Sequence, residues 1–93
     1  MSHLGDITGR ARLLLEGKDV GEVGYAISVS RPSNLIEAAG EIYGNQDLLW
    51  KFSQSHGGFL QPEGGQQIQI LPRRWTLGDD YVDILVSGPV PGF

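Results

Sequence analysis

Apolar residues recur at every second position through most of the chain. Ala11, Leu13 and Leu15 alternate with Arg10, Arg12 and Leu14, and Val23, Tyr25, Ile27 and Val29 alternate with Gly24, Ala26, Ser28 and Ser30. Ile68 and Ile70 alternate with Gln67 and Gln69, and Val82, Ile84 and Val86 stand opposite Asp83. A period of two puts one set on the buried face of a sheet and the other outside. Strands are therefore predicted at 7–15, 20–31, 66–75 and 81–87. The run 35–43 (LIEAAGEIY) is mixed. Its Ala and Glu suit a helix, but Ile36, Ala38, Gly40 and Ile42 alternate with Glu37, Ala39 and Glu41. A glycine inside a helix costs about 1 kcal/mol against alanine, so a strand is the better assignment.

One stretch departs from this period. In DLLWKFSQS, residues 47–55, Leu48 and Phe52 fall four apart, Asp47 is a good N-cap residue, and His56-Gly57-Gly58 supplies a stop. A short helix is predicted there, placed to plug one end of a barrel. Turn signals separate the other elements: Glu16-Gly17-Lys18-Asp19, Arg31-Pro32-Ser33-Asn34, Gly44-Asn45, Pro62-Glu63-Gly64-Gly65 and Thr76 to Asp80. After Phe59-Leu60-Gln61 the chain thus turns into the last two strands. The expected fold is mainly β: a small antiparallel barrel or sandwich of five or six short strands with one short helix at about 47–55.

Two details shape that picture. The second strand carries only small residues on its polar side, Gly24, Ala26, Ser28 and Ser30, which suggests strong curvature. Pro72 cannot donate to a ladder and so marks an edge or a bulge just before Arg73-Arg74-Trp75. Residues 1–6 read as a loose start. Gly88-Pro89-Val90-Pro91-Gly92-Phe93 reads as an extended tail, because its two prolines forbid a helix.

Composition narrows the function. The chain has 93 residues, the size of a single domain, and its 14 glycines stand mostly beside turn residues. With no cysteine there are no disulfides, thiolate metal sites or cysteine nucleophile. No basic start followed by an apolar run resembles a signal peptide, and no apolar run approaches membrane-spanning length, so a cytoplasmic protein without membrane association is expected. A net charge of −4, spread without blocks, disfavours broad adhesion to nucleic acid.

Among candidate sites, Arg73, Arg74 and Trp75 come first. Arginine is a planar, fixed cation suited to phosphate or carboxylate, and tryptophan offers a face for stacking. On strict alternation Arg73 and Trp75 share one side and Arg74 takes the other. The competing structural account has Trp75 closing the core while the arginines pair with Asp79 or Asp80. Asp79, Asp80 and Asp83 lack the converging oxygens of a cation loop. His56 has no elbow or orienting acid to make it catalytic and reads as a helix-end residue. Gly57-Gly58 and Gly64-Gly65 lack the signatures of phosphate loops. Trp50, Phe52, Phe59, Tyr25 and Tyr81 are expected in the core.

No catalytic constellation and no cofactor or metal site follows from these residues. The expectation is a non-enzymatic module that binds a protein partner or a copy of itself, through the edge at Pro72 or through the C-terminal tail. The alternative is binding of single-stranded nucleic acid or a nucleotide at Arg73-Arg74-Trp75.

Overall fold

The computed structural model describes residues 2–31 and 36–91. Six strands and one helix follow in the order β1 (Ser2–Leu15), β2 (Lys18–Arg31), β3 (Glu37–Tyr43), α1 (Gln46–Ser53), β4 (Gly58–Pro62), β5 (Ile68–Arg74) and β6 (Tyr81–Val86). All pairings are antiparallel, and the strands close into a barrel in the order β1-β2-β3-β6-β5-β4. Three hairpin-linked strands are followed by a crossover to β4, which lies back beside β1. That is Greek-key connectivity, with α1 as the crossover. The expected mainly-β barrel with one short helix is the fold observed.

The period-two positions explain the closure. Leu13, Val23, Val29, Ile42, Leu60, Ile70, Val82 and Ile84 are fully buried, with Ile27 and Ile68 all but so. Among the described residues no polar or charged side chain is buried with them. The interior is an aliphatic plug, as expected for a barrel this narrow. Helix α1 lies between β3 and β4 in the chain and packs against β5 and β6. Leu48, Leu49 and Phe52 point from it into the core. Its N-cap is Asn45, whose side chain accepts from the Leu48 amide at 2.9 Å. Asp47, expected as the cap, sits instead in the first turn, where its charge favours the helix dipole.

Several expectations need correction. β1 begins at Ser2, not at residue 7: its first residues are held by pairing to β2, with Ser2 opposite Arg31 and Asp6 opposite Ser28. Of the five aromatics expected inside, Tyr25 and Phe52 are buried, while Trp50, Phe59 and Tyr81 are exposed, Trp50 by 53%. The reason is positional. Phe59 and Tyr81 are neighbours of the inward Leu60 and Val82, and Trp50 lies on the face of α1 away from Leu49 and Phe52. The tail folds back as far as it is described: the Ser87 amide donates to the Gln69 carbonyl at 2.8 Å, and Val90 packs against the core. Pro32 to Leu35 and the tail residues Gly92 and Phe93 lie outside the described residues. No helix among those described is long and apolar enough to cross a membrane.

One glycine marks a close approach of two strands. Gly40 lies in the ladder between Ile27 and Ile84, and a Cβ built there would stand 1.9 Å from the Ala26 carbonyl oxygen and 2.8 Å from the Ile27 Cα. β2 and β3 approach so closely that only a residue without a side chain fits.

Candidate functional site

On a barrel the outward positions usually form a convex surface. Here the small outward residues of β2, with Ala39 and Gly40 of β3, leave a groove of about 680 Å³ across the sheet. Its floor is Ala26, Ser28, Ala39 and Gly40. Asp6 and Thr8 of β1 stand on one side, Glu41 and Asp83 beyond the floor, and Arg73 and Arg74 form the far wall. The groove continues into a second depression of about 610 Å³ past Arg73, where Ile36 and Leu85 add an exposed apolar end.

Pro72 explains how two consecutive arginines reach one groove. Pro72 pairs with Ile84, but the next pair is Arg74 with Asp83, so β5 carries one extra residue there, Arg73. The expected edge or bulge is a bulge. Such an insertion breaks the alternation of sides. Strict alternation placed Arg74 opposite Arg73; instead both arginines are exposed and both line the groove, while Trp75 turns back and packs, half-buried, against the core. The Trp75 indole donates to the Asp79 carbonyl oxygen at 3.3 Å.

The arginines are not paired with Asp79 or Asp80. The Asp79 carboxylate accepts from the Thr76 amide at 3.1 Å, closing the loop on itself. Among the described residues the ion pairs are His3–Asp6, Arg10–Glu22 and Arg12–Asp19, and neither Arg73 nor Arg74 takes part in one. Even Asp83, directly across the ladder from Arg74, forms none with it. Two guanidiniums with five donors each therefore face the groove without an ion pair to a carboxylate among the described residues.

The opposite wall is fixed and acidic. The Ser28 hydroxyl donates to Asp6 Oδ1 at 2.8 Å, and His3 Nε2 lies 3.0 Å from the same oxygen. The Ser28 bond, then the His3 bond, hold the Asp6 carboxyl below its ordinary pKa. The Tyr43 hydroxyl donates to Glu41 at 3.1 Å. Desolvation, then that hydrogen bond, push the Tyr43 phenol above its usual range. The groove thus holds both signs: Asp6 on the β1 side, Glu41 and Asp83 on the strands between, and the guanidiniums of Arg73 and Arg74, without ion pairs among the described residues, on β5.

Of the residues singled out from the sequence, Arg73 and Arg74 belong to this groove and Trp75 stands behind it. Asp83, expected on the outer face of the last strand, lines it too. His56 is exposed beyond the end of α1 and takes no part. Asp6, Thr8, Ala39 and Glu41 were not anticipated. The signal that pointed here was the small face of β2, which is the groove floor. No three His, Cys, Asp or Glu side chains converge as metal ligands among the described residues. No protein-family model, curated protein or solved structure matches the chain.

Proposed function

We propose that this domain is a non-enzymatic protein-recognition module whose outer groove takes an extended segment of a partner. The carrying observation is the pair Arg73 and Arg74, brought to one groove by the Pro72 bulge and left without ion pairs among the described residues, over a small-residue floor. Guanidiniums in this state favour a carboxylate-bearing ligand, each charge-assisted hydrogen bond contributing about 1.5–3 kcal/mol. Asp6, Glu41 and Asp83 favour a basic group on the same ligand. A segment carrying both signs, with a small apolar residue for the Ile36–Leu85 end, fits this arrangement. A polyanion fits less well, because the carboxylates repel its phosphates and the Trp75 ring packs against the core.

The test is a peptide-display selection on the wild-type protein, with the Arg73→Glu/Arg74→Glu variant as a parallel target. Enrichment of peptides holding an acidic and a basic residue on the wild type alone supports the reading. Peptides that bind both proteins equally refute it. Tryptophan fluorescence titrated with oligonucleotides at low salt covers the nucleic-acid alternative; saturable binding lost in the same variant would replace the peptide by a nucleic acid strand.

A further inference from the structure

β1 is twice as long as β3, and the ladders leave part of it open. Every part of β1 pairs with β2, but on its other side β4 covers only Ala11 to Leu14. From Ser2 to Arg10 this edge has no neighbouring strand among the described residues. An unpaired edge is a template for another strand, and proteins that avoid such pairing place charge on it. The charges here do not block self-pairing, because they are of opposite sign and lie symmetrically about Thr8.

We infer that a second copy of this chain pairs antiparallel along this edge, with the two-fold axis at Thr8. An axis normal to the sheet keeps the outer faces together, so a residue meets its mirror position across the axis. Centred on Thr8, Asp6 of each copy stands across from Arg10 of the other, Ile7 across from Gly9, and Thr8 meets Thr8. Opposite charges and Thr–Thr pairs in direct opposition both favour association. The paired segment Asp6–Arg10 ends where β4 begins to cover β1, and it has the length of an ordinary strand, about 5–6 residues. Centring on Asp6 sets two carboxylates face to face, and centring on Ile7 leaves Asp6 against Thr8 and Arg10 against Leu4.

The groups needed are available. Asp6 and Arg10 side chains are 58% and 66% exposed. Both bonds to Asp6 use Oδ1, so Oδ2 accepts none among the described residues. Arg10 engages Glu22 through Nε at 2.8 Å, leaving its terminal nitrogens for a second carboxylate. Asp6 and Thr8 also line the groove, so association is read on the protein without a groove ligand.

Sedimentation or light scattering of the whole chain, with charge variants, tests the inference. The wild type is expected to dimerise, and Asp6→Arg or Arg10→Asp each to raise the dissociation constant at least about tenfold, by turning two attractive pairs into repulsive ones. Asp6→Arg/Arg10→Asp restores complementarity and the dimer. A second variant leaves both charges intact. The chain contains no cysteine, so Thr8→Cys introduces a single thiol. Directly opposed residues have Cα atoms about 4.5–5.5 Å apart, within disulfide reach, so mild oxidation is expected to give a covalent dimer. Lys51→Cys, on exposed α1, is the control. A wild type still monomeric at about 1 mM, weaker than specific association, overturns the inference. So does a dimer that neither charge reversal weakens, or a Thr8→Cys protein that oxidises no faster than the Lys51→Cys control.

Discussion

Replacing Gly40 by alanine puts a methyl group where β2 already stands. The Cβ would lie 1.9 Å from the Ala26 carbonyl oxygen, whereas ordinary contact begins near 3.4 Å. The strands must separate by about 1.5 Å, the difference of those values, and the obstructing atoms are backbone with no rotamer to change. Separation stretches the ladder on either side of Gly40; two weakened hydrogen bonds at about 0.5–1.5 kcal/mol each contribute about 1–3 kcal/mol. Ile27 and Ile84, the ladder partners of Gly40, then lose their fit, and forced repacking adds about 1–3 kcal/mol. The sum is about 2–6 kcal/mol. For 93 residues the whole stability is about 5–14 kcal/mol, so the loss is a large share of it and lowers the midpoint of thermal unfolding by about 8 °C or more. Gly17→Ala is the matched control. Gly17 has φ of 79° with nothing within 4 Å, so alanine meets only the left-handed backbone cost of about 1–2 kcal/mol. Urea unfolding of both variants followed by tryptophan fluorescence reads the difference. A loss under about 1 kcal/mol at Gly40, or a larger loss at Gly17, would refute the close-approach argument.

The plugging role of α1 separates two aromatics on one helix: Phe52→Ala is expected to cost about 3–5 kcal/mol in denaturant titrations, and the exposed Trp50→Ala within about 0.5 kcal/mol. Removing the helix cap by Asn45→Ala costs about 1 kcal/mol, and Asp47→Ala a few tenths, as measured by the same unfolding. Asp6 is held low by the Ser28 hydroxyl and Asp19 by the Arg12 guanidinium, both from an ordinary value of 3.8. A lowered folded pKa stabilises above the unfolded value, and that contribution is lost as pH falls through the folded one. Asp6→Asn and Asp19→Asn should therefore flatten the decline of stability below pH 3.8, and a carboxyl titration by NMR should place both groups under that value.

Which features could be read from the chain alone follows from how local their causes are. Alternation in β2, β5 and β6 is set by neighbours two residues apart, and there the faces were legible. The start of β1 was not. His3, Gly5 and Asp6 carry no apolar rhythm, and only pairing with Ser28 to Arg31 holds them extended. Asn45 was passed over for Asp47 because both are good caps and composition does not choose between them. Pro72 signals an edge or a bulge without choosing between them, and the consequence of the bulge for Arg73 and Arg74 escapes a reading that carries alternation straight through it. Trp50, Phe59 and Tyr81 were assigned to the core by residue type, when their positions beside Leu49, Leu60 and Val82 decide the matter. Part of the groove is legible in the small face of β2, Ala26 and Ser28, and in Arg73 and Arg74. That Asp6, Glu41 and Asp83 join them, from strands far apart in sequence, needs the register.

The groove is the centre of the functional account, and its two arginines are the part most open to measurement. Fluorescence anisotropy of a peptide selected on the wild-type groove, titrated with wild type and with Arg73→Glu/Arg74→Glu, reads their contribution directly. Each reversal removes at least one charge-assisted bond, so a combined loss of about a hundredfold or more in affinity is expected. A change of less than about threefold would contradict the assignment of Arg73 and Arg74 as the ligand-binding wall.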